Sequence, residues 1–179
     1  QDIPFGYIGT FTDDRNVILV NENGGFVAKT KKYEQKENSQ VRTAEVVLDI
    51  NGYIKTEMQT TYKGLQYNSV YHQSYRSYKE KKEALEKWIP LANFYDLQFD
   101  YINKKDIMPE LIQTMSFNSR SFASKSGDRL MFEPNIFNTE KYVPEKVDDR
   151  INDVSLNFAY IDIDTVKFHY PEDYQIEFL

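Results

Sequence analysis

Apolar positions along most of the chain come in short alternating runs, the period-two signature of half-buried strands. Residues 17–20 (Val-Ile-Leu-Val) are a brief continuous apolar run, followed by Asn21-Glu22-Asn23-Gly24-Gly25 and then Phe26-Val27-Ala28. Strand, Asn/Gly turn and second strand is the expected order. The clearest pattern surrounds Asp49-Ile50-Asn51-Gly52, with Val46 and Leu48 before it and Ile54, Thr56 and Met58 after it. A two-residue Asn51-Gly52 loop would set Leu48 opposite Lys55 and mix the faces. A three-residue loop sets Leu48 opposite Ile54 and Val46 opposite Thr56, so the apolar positions share one side. A one-residue slip would flip every side chain. The pattern therefore predicts a type I turn on Asp49-Ile50-Asn51, with Gly52 left-handed in a bulge and the Asp49 carboxylate capping the turn.

The period changes at about 68–89, where Tyr67, Tyr71, Tyr75, Tyr78, Leu85 and Trp88/Ile89 draw one stripe at helical spacing. Asn68 or Ser69 can cap this helix and Pro90 stops it. Lys79–Glu83, Lys82–Glu86 and Glu83–Lys87 are i,i+4 pairs of a solvated outer face. The stripe weakens at Lys81 and Lys82, so the helix middle is expected to lift off the body. Beyond Pro90 the alternation returns at 94–102, 111–117, 129–132, 154–158 and 166–170. Pro171-Glu172-Asp173 turns the chain into a last strand at 174–179, and 142–153 reads as a surface connection. The expected fold is mainly β: an antiparallel β-sandwich, jelly-roll or Ig-like, with one long helix at about 68–89 packed on it.

Charge and composition narrow the function more than the fold. The 179 residues carry 22 Lys and Arg against 28 Asp and Glu, a net charge of −6. That balance argues against a general nucleic-acid or anionic-membrane binder. No apolar stretch is long enough for a transmembrane helix. Absence of cysteine removes disulfides, thiolate metal sites and cysteine nucleophiles, and leaves the redox compartment open. The start, Gln1-Asp2-Ile3-Pro4, has neither an initiator Met nor the basic and apolar regions of a signal peptide, which predicts a piece of a longer protein.

Candidate chemistry is sparse. His72 and His169 lack a second histidine at metal spacing and read as surface residues; no G-x-S-x-G elbow accompanies them. Asp13-Asp14, Asp148-Asp149 and the Asp162/Asp164 pair could offer oxygens to Ca²⁺, yet none sits in a twelve-residue calcium loop. On a strand Asp162 and Asp164 would share a face and repel, unless a cation or Lys167 meets them. No catalytic residue, cofactor or metal is expected. The Tyr face with Trp88 is a candidate binding surface, represented by Tyr71, Tyr75 and Trp88, for a glycan or peptide. The first expectation for the same rings is that they pack on a sheet with their hydroxyls at the rim.

The segment Pro4-Phe5-Gly6-Tyr7, running through Arg15 and Val17-Ile18-Leu19-Val20 to Asn23-Gly24-Gly25, resembles a stretch of bacterial transglutaminase-like proteins just after their catalytic core. Leu48-Asp49-Ile50-Asn51-Gly52, Tyr62-Lys63-Gly64-Leu65 and the closing Arg150, Tyr160, Asp164, Pro171 and Tyr174 are similar to the domain of unknown function that follows that core. The resemblance implies that residues 1–33 are the junction from an upstream transglutaminase-like domain and that 34–179 form a β-sandwich accessory domain. Such enzymes use a Cys-His-Asp triad, so it implies a non-catalytic piece whose partner is the upstream domain of the same polypeptide. It further implies a periplasmic or cell-surface location.

Overall fold

Both expected hairpins form in the computed structural model, which describes residues 3–138, 145–146, 149–151, 153–154 and 156–177. Strands β1 (Asn16–Asn21) and β2 (Gly24–Lys29) make a two-stranded ribbon closed by Glu22-Asn23. Strands β3 (Ser39–Leu48) and β4 (Ile54–Lys63) pair with Leu48 opposite Ile54 and Val46 opposite Thr56, the register that the alternation requires. In their turn the Asp49 carboxylate accepts from the Asn51 and Tyr53 amides at 2.8 and 2.9 Å. Gly52 takes φ +82° and donates its amide to the Asp49 carbonyl. A Cβ there would come within 2.4 Å of the Ala123 carbonyl oxygen, so both conformation and space require glycine.

Strands β5 (Phe94–Lys104), β6 (Glu110–Ser119) and β9 (Ile161–His169) complete one five-stranded sheet in the order β5-β6-β4-β3-β9, while β7 (Ser124–Ser126) and β8 (Arg129–Met131) form a small ribbon. The protein is thus mainly β, but the sheet is mixed: β9 lies parallel to β3 where a wholly antiparallel arrangement was expected. Side chains hold β9 in place. Asn38 donates to the Ala159 carbonyl and its own carbonyl accepts from the Ile161 amide, both at 2.9 Å, and Gln66 reaches the Ile161 carbonyl and Asp162. No strand forms at the described residues of 154–158 or at 174–177. Ser155, Tyr142, Asp148 and the last two positions of the expected 174–179 strand lie outside the described residues.

The single long helix is not observed. Short helix α1 (Gly9–Thr12) precedes β1; after β4, helix α2 (Leu65–Val70) passes into a 3₁₀ turn (Tyr71–Tyr75), and α3 (Tyr78–Trp88) starts afresh. Ser77 is extended (ψ 157°), and its hydroxyl and the Glu80 carboxylate cap each other's backbone amides, a capping box that ends one helix and begins the next. Tyr75 and Tyr78 are exposed yet rest on β5, Tyr75 accepting from Asn103 and Tyr78 stacking on Phe99, and the helix does not lift off at Lys81, whose ammonium lies over the Tyr101 ring.

One face of the sheet is covered by these helices and by the 122–137 chain. Two apolar clusters fill the space: one around Val46, Met58, Leu85, Met115, Phe117 and Phe137, the other around Tyr7, Tyr33, Leu65, Tyr67 and Leu111. Residues before 33 thus share the second cluster with the body, and only the β1–β2 ribbon stands apart from it. The other face of the sheet is open.

Candidate functional site

The open face is built by register. Gln98, Ser116, Glu57, Glu45 and Lys167 form one row across all five strands, and Asp100, Thr114, Gln59, Thr43 and Thr165 the next. They line a shallow concavity of about 690 Å³. Glu45 and Glu57 are direct cross-strand neighbours, an arrangement that like charges disfavour. Lys55 sits 2.9 Å from Glu57, while His169 and Lys167 both hydrogen-bond Glu45. The bond from His169 is the main reason that the Glu45 carboxyl titrates below its ordinary range. His169 is thus an outward surface residue as expected, bonded to Glu45, and His72 is exposed beside Tyr71.

At the lower rim Lys63, Glu110 and Lys104 form a three-strand charge ladder, with Glu110 within 2.9 Å of Lys63 and 2.6 Å of Lys104. The hydrogen bond from Lys104, then that from Lys63, lowers the Glu110 pKa below the usual 4.5. Its contribution to stability is therefore complete above the unfolded glutamate value and disappears as pH falls through the lower folded value. In Glu110→Gln the stability deficit is expected to be constant near neutrality and to shrink as acid protonates the native carboxylate. Urea midpoints read by Trp88 fluorescence between about pH 7 and pH 3 check this; a deficit that grows in acid contradicts it.

The covered face carries an unexpected feature. Between the two apolar clusters a polar row crosses every strand: Tyr101, Gln113, Thr60, Arg42 and Asp164 are successive register partners. Gln113 donates to the Tyr101 hydroxyl at 2.8 Å; Arg42 donates to Thr60 at 3.1 Å, to the Phe137 carbonyl at 3.1 Å and to Asp164 at 2.9 Å. The Arg42 side chain is 3% exposed. Above this row, under α3 and the 3₁₀ turn, lies a cavity of about 320 Å³. Burial pushes the Tyr62 and Tyr101 hydroxyls on its walls above the usual tyrosine pKa, so both remain protonated.

The sequence-derived aromatic surface is divided by this architecture. Tyr71 stacks on buried Tyr67 at 5.4 Å, and Tyr75, about half exposed, receives a hydrogen bond from Asn103. Trp88 belongs elsewhere: its ring stacks with Phe137 at 6.1 Å, lies 5.2 Å from the Arg42 guanidinium and lines the cavity. Asp162 and Asp164 share a face, and Gln66 meets the first and Arg42 the second; Lys167 serves Glu45 instead. Asp13 accepts from the Tyr33 amide and Asp14 pairs with Lys29 at the base of the ribbon. Among the described residues no group of three acidic or histidine side chains gathers for a metal, and no helix is long and apolar enough to cross a membrane.

Sequence reasoning missed Arg42, Thr60, Tyr101 and Gln113. Arg42 shares its parity with Ala44, Val46 and Leu48, and that parity was the available signal. Compared with protein-family models, curated proteins and solved structures, the chain matches none.

Proposed function

We propose that this chain is a non-catalytic accessory β domain of a transglutaminase-like protein, held against the catalytic core of the same polypeptide in the periplasm or at the cell surface. One observation carries the reading. The β1–β2 ribbon, within the stretch whose motifs resemble the junction from such a core, exposes Ile18 (72%), Val20 (80%) and Val27 (71%), with Leu19 and Phe26 also outward. A lone two-stranded hairpin is marginal in water, and a contiguous apolar surface marks a contact. The sandwich form expected of 34–179 belongs to the same reading, with the five-stranded sheet as one of its layers.

Hydrogen exchange on the parent polypeptide and on this chain alone tests it. The ribbon's outward-facing amides are expected to exchange more slowly in the parent; equal rates refute the contact. The purified chain is expected to release no ammonia from peptidyl-glutamine and to cleave no peptide. Turnover that a point change in this chain abolishes without unfolding it overturns the non-catalytic assignment. A glycan- or peptide-binding module acting through Tyr71, Tyr75 and Trp88 together has less support, since Trp88 faces a different space.

A further inference from the structure

We infer that the cavity beneath α3 is a binding site for an uncharged, hydroxyl-rich molecule about the size of one sugar ring. Its floor is the polar row of the covered face. A sheet that needs only to pack on helices has no use for such a row, because desolvating a guanidinium and a carboxylate is costly before they pair. Here the row separates two apolar clusters and turns Arg42, Gln113 and Tyr101 towards one space. Convergent polar groups in a mainly apolar cleft are the usual composition of a ligand pocket, and about 320 Å³ is near the lower end of their size range.

The chemistry of the walls selects the ligand. Among the described residues that line the cavity Arg42 is the only ionised side chain, and Asp164 already balances it at 2.9 Å. An anion would compete with Asp164, and a cation would face Arg42. The remaining polar groups are amides and protonated phenols, each able to give and accept hydrogen bonds, as hydroxyls do. The roof supplies the most direct sign: the Gln73 side-chain oxygen is buried there and has no hydrogen-bond partner among the described residues. A buried carbonyl left unpaired is destabilising, and a ligand hydroxyl donating to it would recover that loss. Leu85 and Leu111 offer an apolar wall for the C–H face of a ring.

Trp88, the only tryptophan, lines the site and reports on it. The test titrates the chain separately with D-glucose, D-galactose and N-acetyl-D-glucosamine, up to about 100 mM, following Trp88 fluorescence and heat. At least one is expected to saturate, with a dissociation constant of about 1–10 mM. Gln73→Leu removes the unpaired acceptor, so it should weaken binding at least tenfold while the melting temperature holds or rises. Ala84→Leu, which fills the cavity from α3 and leaves every polar group in place, should abolish the signal. No saturation by any of the three sugars overturns the assignment. Saturation that persists unchanged in both variants overturns it equally, because binding would then lie elsewhere.

Discussion

Asp164→Ala is expected to lower the unfolding free energy by about 3–5 kcal/mol, the range for removing one partner of a buried ion pair. The other carboxylate on the covered face of β9, Asp162, is exposed and bonded by Gln66, and the remaining hydrogen bonds of Arg42 go to the Thr60 hydroxyl and the Phe137 carbonyl, both neutral. Its guanidinium also lies 5.2 Å from the Trp88 ring, so the charge cannot swing to water without disturbing the Trp88–Phe137 stack. The loss should concentrate on β9, an edge strand whose Val166 and Phe168 are only half-buried and whose Asp164 is the residue tied into the row. Hydrogen exchange is expected to accelerate at β9 amides before those of β4 and β6. Combining Arg42→Met with Asp164→Leu should be less damaging than Asp164→Ala alone, since no charge then remains buried. It would still leave the Phe137 carbonyl and Thr60 hydroxyl unpaired, at about 1–3 kcal/mol. Urea unfolding of the three variants decides it: a loss below about 1 kcal/mol for Asp164→Ala means that the pair is effectively solvated.

The second large effect is expected at the start of α2. Gly64 has φ +57° and ψ −136°, outside the left-handed well that side chains can enter. A Cβ would lie 2.3 Å from the Glu37 carbonyl oxygen and 2.5 Å from the Asn38 side-chain oxygen. Neither neighbour can yield cheaply. The first is backbone, and the Asn38 oxygen accepts from the Leu65 amide at 2.9 Å while its nitrogen holds the Ala159 carbonyl. The Gly64 carbonyl in turn receives the Tyr7 hydroxyl at 2.8 Å, linking the 3–12 segment to the body. Burial raises the Tyr7 pKa far above the tyrosine norm, which keeps that donor protonated. Gly64→Ala should therefore cost about 3 kcal/mol or more, conformational strain of roughly 1–3 kcal/mol being compounded by the clash. Gly127→Ala separates the two causes. Its φ of +60° is similar, but no atom stands within 4 Å of a new Cβ, so a loss of only about 1 kcal/mol is expected. Equal losses at both positions would show that space at Gly64 is irrelevant.

These two sites also mark how far the sequence can be read. The β3–β4 register was legible because a buried face admits only one parity, and the Asp49 turn because its hydrogen bonds span four residues. The helix break was legible and unread: Ser77-x-x-Glu80 carries the capping-box signature, but the regular Tyr stripe spans it and suggests continuity. Arg42 was legible only in part. Its parity places it with Ala44 and Val46, yet a charge at such a position ordinarily argues for an exposed end. The row it belongs to joins residues from five strands, and only their register reveals it.

By itself the sequence determined the two hairpins, the β3–β4 register, the strand-rich character and the lack of thiol chemistry. All of these rest on local hydrogen bonds, period-two alternation or composition. Only the tertiary structure decided that β9 joins β3 in parallel, that one sheet face is covered and the other open, and that a charged row lies under the helices. Alternation states which residues share a face, never which face is covered. A guanidinium is tolerated beneath a helix only when a carboxylate arrives beside it, and here that carboxylate is 122 residues away.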